Sequence, residues 1–227
     1  MMKSGKFHGI GIGPGDPDLI TIKAVKILEK VDIVIAPFSK NQSIAYKIVS
    51  PYIKGQVVKL RFPMIRDKRV LEGFWENNTR QIKAMLDEGK DVAFITLGDP
   101  MIYSTYIYIF NRLKDYDRET VPGIPSFCAA AAKLGISIAE GDDPFVVVPT
   151  SDEKIIDKAL EDFDNVILMK VSRNFNLIAH KLKEKGFKTG FVSRCCHENE
   201  EIHYDLDNLK NQKVDYLSLV IGKKAKQ

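Results

Sequence analysis

Four short segments have the composition of ligand-binding loops. Three are rich in glycine and proline, and the fourth ends an apolar run. They are GIGIGPGD at 9–16, TLGDPMIYSTY at 96–106, VPGIPSFCAAAA at 121–132 and LMK at 168–170. Glycine permits tight turns, and it lets a ligand approach the backbone closely. Since ligands of open α/β sheets bind beyond the carboxyl ends of strands, these segments predict a binding site there.

The alternating glycines of the first segment fit no common phosphate-binding motif. Gly9, Gly11, Gly13 and Gly15 match no register of G-x-G-x-x-G, and no Gly-Lys-Ser/Thr follows them. They are also consistent with a tight strand-to-helix turn that binds nothing, in which glycine only permits the backbone path.

Composition narrows the class of protein. The 227 residues are 44% apolar and 28% charged, with a formal net charge of +4. These values are ordinary for a globular protein and too mild to indicate a nucleic-acid partner. No apolar run reaches the roughly 18 residues of a membrane span, and the N-terminus lacks a signal-peptide pattern. Three cysteines, two of them adjacent, make a poor disulfide framework. We therefore expect a cytoplasmic protein without a membrane or nucleic-acid partner.

Strands and helices alternate along the whole chain. Apolar strands are expected at 7–13, 32–37, 56–62 and 91–99, with helices between them. This order is typical of a parallel sheet covered on both faces. Strand, turn and helix recur in the second half. We predict an α/β fold of two domains, with the cofactor cleft between them. The expected bounds are 1–118 for the domain with the glycine-rich and Gly-Asp-Pro loops, and 119–227 for the second.

Together the motifs resemble those of the tetrapyrrole methylase family. The likeness runs from about residue 6 to 223 and rests on GIGPGDPDLITIKA, TLGDPMIYST and VPGIPSFCAAAAKLG. FPMIRD, YSTYIYI and LMKV are similar to members that methylate carbon C(20) of precorrin-2 or cobalt-factor II. The resemblance implies S-adenosylmethionine-dependent methyl transfer in cobalamin and porphyrin biosynthesis, with S-adenosylhomocysteine as product. It also implies a homodimer with a small tetrapyrrole substrate.

The resemblance also implies which residues bind the methyl donor. For three of these residues a structural role is the alternative to binding: Asp99 could cap a helix, Ser126 could cap the alanine-rich helix, and Met169 could be ordinary core. Pro125 departs from the small polar residue that is common in the family. The implied cofactor-binding residues are Pro14, Leu97, Gly98, Asp99, Ile102, Pro125, Ser126 and Met169.

The implied reaction needs little acid–base catalysis. The reacting carbon is already nucleophilic, so a base is needed at most to remove a proton after methyl transfer. Tyr103, beside the Gly-Asp-Pro loop, is the candidate for this catalytic role. Arg61, Arg66 and Arg173 are candidates for binding substrate carboxylates, because guanidinium pairs well with such groups.

Cys195, Cys196, His197 and His203 have the composition of a metal site but not its usual spacing. Paired zinc ligands are normally separated by two to four residues, and adjacent side chains of a strand point to opposite faces. We therefore expect no protein-bound metal. Two other functions stay open. One is methylation of rRNA or of a translation factor on the same fold, and the other is non-enzymatic tetrapyrrole transport.

Overall fold

The computed structural model describes residues 4–39, 43–65 and 67–225. The chain divides into two units, Met1–Pro125 and Ser126–Gln227. Across the described ranges, no helix is both long enough and apolar enough to cross a membrane.

The first unit is built on one five-stranded sheet in which every pair of neighbours is parallel. The strand order is β3-β2-β4-β1-β5. Its strands are β1 (Phe7–Gly11), β2 (Ile33–Phe38), β3 (Gln56–Arg61), β4 (Val92–Thr96) and β5 (Arg118–Val121). Its helices are α1 (Ile22–Leu28), α2 (Ile44–Val49), α3 (Lys68–Asp87) and α4 (Tyr106–Phe110), with short 3-10 helices at Pro17–Leu19 and Ser50–Tyr52.

Both faces of this sheet are buried. Successive strand residues point to opposite faces, so Ile33 and Ile35 pack with α3 and α4, while Val34 and Ala36 pack with α1 and α2. A continuous apolar run such as IVIA is therefore required, because neither face of the strand meets water. The predicted parallel sheet with two covered faces is confirmed.

The second unit holds a mixed sheet with the order β6-β7-β10-β8-β9. Only β6 and β7 are parallel to each other; the other neighbours are antiparallel. The strands are β6 (Phe145–Pro149), β7 (Asn165–Met169), β8 (Phe187–Ser193), β9 (Glu201–His203) and β10 (Ser218–Lys224). The helices are α5 (Ser126–Leu134), α6 (Glu153–Asp162) and α7 (Phe175–Glu184), with 3-10 helices at Val171–Arg173 and Leu206–Leu209.

Helices cover both faces of the second sheet as well. Residues of α6 and α7 join Val166, Leu168 and Val220 in one apolar cluster. On the other face α5 packs against β8, where Gly190 leaves room for the side chain of Leu134. A methyl group at Gly190 would lie 2.6 Å from a Leu134 methyl carbon.

The division between the units differs from the predicted boundary after residue 118. That boundary would separate β5 from its sheet, yet β5 pairs along its length with β1 of the first unit. The chain therefore leaves the first unit only at Pro125. Arg118, Glu119 and Thr120 are polar, and this edge strand has no apolar run by which to recognise it.

Candidate functional site

Three loops of the first unit meet where β4, β1 and β5 end. These strands are neighbours and parallel, so their carboxyl ends lie at one sheet edge. The loop after β1 and the loop after β4 are joined directly by main-chain hydrogen bonds. Gly98 N donates to Gly13 O at 2.7 Å, and Gly13 N donates to Gly98 O at 3.4 Å. The segments singled out in the sequence at 9–16 and 96–106 thus form one structure.

Glycine is required here mainly by the approach of one loop to another. A Cβ on Gly11 would lie 2.5 Å from Gly123 N, and one on Gly123 would lie 2.2 Å from Gly98 O. The contacting atoms are main chain, which cannot rotate away. The expectation that these glycines leave room for a ligand is wrong for Gly11 and Gly123, whose Cβ positions are filled by the neighbouring loops.

Asp99 joins the second loop to the third. Its Oδ1 accepts a hydrogen bond from Met101 N at 2.8 Å, and its Oδ2 accepts one from Gly123 N at 3.1 Å. The first bond closes a local turn, and the second crosses to the loop after β5. Both carboxylate oxygens thus stabilise loop structure, beyond the helix-capping role considered for Asp99.

Six of the eight predicted cofactor residues follow the carboxyl ends of β1, β4 and β5. Pro14 is buried, whereas Leu97, Ile102 and Pro125 are half-buried. The six residues are Pro14, Leu97, Gly98, Asp99, Ile102 and Pro125. The other two, Ser126 and Met169, belong to the second unit, where Ser126 begins α5 and the half-buried Met169 ends β7.

Tyr103 has a strained backbone beside the Gly-Asp-Pro loop. Its φ of 50° lies in the left-handed region, and its side chain is 46% exposed. Such a conformation costs a non-glycine residue on the order of 1–3 kcal/mol and is often found at functional sites. The chain is held after this point by Ser104, whose Oγ lies 2.9 Å from Thr96 Oγ1 and accepts from Tyr106 N at 3.1 Å.

A buried tyrosine at the start of α4 packs against β1 and β5, the strands that lead into two of the loops, and the sequence motifs did not single it out. The Tyr106 hydroxyl lies 2.7 Å from Thr120 Oγ1 on β5, and burial raises the pKa of Tyr106. Its ring fills the space beside Gly9, where a Cβ would lie 2.1 Å from the ring carbon Cζ. A glycine inside the apolar strand FHGIG was the available signal, since such a glycine often marks close packing.

Of the three arginines predicted to bind substrate, two are described. Arg61 is exposed at the end of β3, and its guanidinium lies 5.6 Å from the centre of the Phe74 ring. Arg173 is exposed at the end of the 3-10 helix that follows β7. Arg66 lies outside the described residues. The substrate-binding role of all three stays a prediction.

The adjacent cysteines do not lie on a strand. Strand β8 ends at Ser193, and the chain then turns through Arg194 and Cys196, with φ values of 50° and 63°. This turn brings Cys195 Sγ and Cys196 Sγ to 3.7 Å from each other. The geometric argument against a metal at these residues, which assumed opposite faces of a strand, is therefore wrong.

Comparison with known proteins identifies the family. The model of the tetrapyrrole (corrin/porphyrin) methylases matches residues 6–209, which include all the loops described above. The chain belongs to this family, as its motifs predicted.

Two relatives match most of the chain. A Methanocaldococcus jannaschii protein named probable cobalt-precorrin-2 C(20)-methyltransferase is 39% identical, over 98% of this chain and 97% of that protein. The cobalt-precorrin-2 C(20)-methyltransferase of Salmonella typhimurium is 37% identical, over 81% of this chain and 80% of that enzyme.

The fold recurs among solved structures. The uroporphyrin-III C-methyltransferase of Thermus thermophilus, complexed with S-adenyl homocysteine, superposes with a TM-score of 0.70. The match covers 96% of this chain and 97% of that one at 21% identity, which supports a shared fold only. The predicted α/β fold class is confirmed.

Proposed function

We propose that this protein transfers a methyl group from S-adenosylmethionine to C(20) of precorrin-2 or its cobalt-bearing counterpart, in cobalamin biosynthesis. The observation that carries the proposal is the identity of 39% along 98% of the chain to a relative named for this reaction. The convergence of the three loops at the β4-β1-β5 edge supports the proposal.

The described residues fit the methyl donor. Turns present main-chain N–H and C=O groups, which can bind a carboxylate and an ammonium group. Within the first unit, half-buried Leu97 and Ile102 offer apolar surface of the kind that an adenine ring needs, and we assign Met169 to adenine packing on the resemblance alone. We assign Pro14, Gly98, Pro125 and Ser126 to main-chain or packing contacts. Asp99 acts by holding the loops together, because both of its oxygens accept bonds from main chain.

The chemistry requires positioning more than activation. When bound, the donor supplies an electrophilic methyl group on a sulfonium sulfur. The loops must hold that group in line with the attacking carbon, at roughly 3–3.5 Å. We assign Tyr103, beside the Gly-Asp-Pro loop, to relaying the proton that the substrate loses after transfer: its hydroxyl oxygen takes that proton while its own hydroxyl proton passes to solvent. Arg61, Arg66 and Arg173 bind carboxylates at the rim of the substrate and take no part in the chemistry.

The test is methyl transfer from labelled S-adenosylmethionine to defined acceptors. Parallel reactions contain metal-free precorrin-2, the cobalt-loaded substrate, rRNA and a translation factor. We expect label in one or both tetrapyrroles, at C(20) by NMR, with one S-adenosylhomocysteine formed per methyl group. Label in RNA or protein alone would replace the proposal with macromolecular methylation. Tight tetrapyrrole binding without turnover would indicate a carrier.

We also propose that the protein is a cytoplasmic homodimer without a resident catalytic metal. Exposed apolar side chains around α4, namely Met101 and Tyr108, supply surface for association. Closed two-fold dimers are the commonest oligomers. Light scattering should give twice the mass of the chain. A single-chain mass at all micromolar concentrations would contradict the dimer.

A further inference from the structure

The turn after β8 gathers three side chains that ligate soft metal ions. One atom from each of Cys195, Cys196 and Glu200 lies within 4.8 Å of the other two. Cys195 is buried, while Cys196 and Glu200 are half-buried. The catalytic role proposed above uses none of them.

The two sulfurs have the separation that a single metal ion demands. Two thiolates on one tetrahedral zinc, each about 2.3 Å from the metal, lie about 3.8 Å apart. The observed distance between Cys195 Sγ and Cys196 Sγ is 3.7 Å. The left-handed backbone of Arg194 and Cys196 accompanies this arrangement, and strain of this kind is typical of ligand clamps.

Glu200 is held beside the sulfurs by contacts that leave it able to bind a metal. Its Oε2 accepts from Cys196 N, and its Oε1 lies 3.2 Å from Lys133 Nζ on α5. A carboxylate offers about four lone-pair sites, so these two bonds do not saturate it. Glu200 is thus held in place by a main-chain hydrogen bond within the turn and by an ion pair with α5.

The charge balance suits a divalent cation. Two thiolates, one carboxylate and a divalent ion sum to one net negative charge, which the ammonium group of Lys133 offsets. The nearby guanidinium of Arg194 has its own partner, with Nη1 3.3 Å from Asp215 Oδ2. Metal binding would release the two thiol protons to solvent, as is usual for thiolate sites.

We propose that Cys195, Cys196 and Glu200 form a binding site for a borderline-soft divalent cation of the zinc class. The three protein ligands leave a fourth position to water. The site ties the turn after β8 to α5 through Lys133, within the second unit. It lies outside the three loops proposed to bind the methyl donor.

The experiment uses the full chain, reduced, stripped of metal, and titrated with Co²⁺ as a spectroscopic probe. A thiol assay must first give three free thiols, which excludes a disulfide between the adjacent cysteines. We expect one Co²⁺ per chain with a thiolate-to-cobalt charge-transfer band that Zn²⁺ abolishes. Zinc should also protect two of the three thiols from alkylation.

Substitutions then locate the site. Cys195→Ser and Cys196→Ser should each abolish the charge-transfer band. If Cys195→Ser fails to fold because its position is buried, Cys196→Ser, at the more exposed position, still tests the proposal. Glu200→Gln should keep the band but weaken zinc binding, by at least the roughly 10–100-fold seen for outer-shell partners. Cys128→Ser is the matched control, since Cys128 is exposed on α5 outside the cluster. A fully reduced chain without stoichiometric binding would overturn the proposal. So would binding that survives both cysteine substitutions in folded variants.

Discussion

The carboxylate of Asp99 accepts a hydrogen bond from Gly123 N over 3.1 Å, joining two loops whose linked residues stand 24 positions apart in the chain. The same carboxylate accepts a second hydrogen bond, from Met101 N, so one side chain stabilises its own turn and also the loop after β5. Because these loops follow β4 and β5, which are parallel strands on either side of β1, the bond spans the end of β1 at the proposed donor site. This relationship makes Asp99 a positioning residue.

Asp99→Ala should weaken S-adenosylmethionine binding while the protein stays folded. Hydrogen bonds to a charged group are worth about 1.5–3 kcal/mol, so affinity should fall by up to roughly tenfold to hundredfold, the limit in which donor binding must reorder the loops. Asp99→Asn keeps one acceptor oxygen and should lose less. Calorimetric titration measures both. The control is Asp205→Ala, which removes a similar turn carboxylate, bonded to Asp207 N, from the second unit. Unchanged affinity in a folded Asp99→Ala variant would remove Asp99 from this role.

Gly9→Ala should destabilise the first unit. Its Cβ would lie 2.1 Å from the Tyr106 ring, so the ring or the strand must move, and such overpacking typically costs about 1–3 kcal/mol. The matched control is Gly73→Ala within α3, where a Cβ meets nothing within 4 Å. That substitution should stabilise by roughly 0.5–1 kcal/mol, because alanine favours helix. Urea unfolding of both variants is the measurement, and equal effects would contradict the packing argument.

Most of the first sheet was predictable because its strands are apolar on both faces. The exception is β5, whose polar residues find partners far away in the sequence. Glu119 forms ion pairs with Lys6 and Lys23. These contacts exist only once the sheet has formed, so no local sequence pattern predicts β5.

The loops of the site were predictable, but the roles of their residues were not. Strand ends and glycines indicated where a ligand could bind. That Gly11 and Gly123 serve contacts between loops depends on which strands are neighbours. The cysteine pair shows the same limit. The expectation that the two side chains diverge assumed that β8 continues through the cysteines. The strand ends at Ser193, and the left-handed backbone of Arg194 and Cys196 brings the two sulfurs together.

Tyr103→Phe should lower the rate of product formation if its hydroxyl accepts the substrate proton. General base catalysis typically contributes about 10²–10⁴-fold. Donor affinity should be unchanged, because the ring and the loop remain. Single-turnover kinetics at saturating donor, measured beside calorimetric titration of the donor, separates the two effects. A single-turnover rate like that of the wild type would end the assignment.

His8 should make the protein less stable in mild acid. Burial in β1 lowers the pKa of His8 below its usual 6.5, although Glu119 Oε2, 3.5 Å from its Nδ1, acts in the opposite direction. Lys6, which also faces it, lowers the pKa further, and Asp91 and Asp117 raise it. The unfolded chain therefore takes up the proton first as the pH falls, which favours unfolding below about pH 6.5.

The measurement is urea unfolding of the wild type and His8→Gln between about pH 7 and pH 5. The wild type should lose up to about 1.4 kcal/mol per pH unit from this group, and the variant should lose less. His180→Gln is the control, because His180 is exposed on α7. The same pH dependence in wild type and His8→Gln would assign the effect to other groups.

Arg61 offers the clearest test of substrate binding among the described arginines. It ends β3, and β3 is separated from β4 by β2 alone, so it stands two strand spacings, about 10 Å, from the Gly-Asp-Pro loop. That spacing suits a group at the rim of a macrocycle whose reacting carbon lies over the loops. The aromatic ring of Phe74 beside its guanidinium supports the side chain without neutralising its charge.

Arg61→Ala should raise KM with little change in kcat, since a rim contact is equally strong in the ground and transition states. An exposed charge pair is worth up to about 1 kcal/mol, which corresponds to roughly a fivefold rise. Arg66→Ala is expected to act in the same way. Arg80→Ala, an exposed arginine on α3, removes the same charge away from the sheet edge and should leave KM unchanged. If Arg61→Ala and Arg80→Ala give the same KM, the rim contact at Arg61 does not exist and the substrate carboxylates must bind elsewhere.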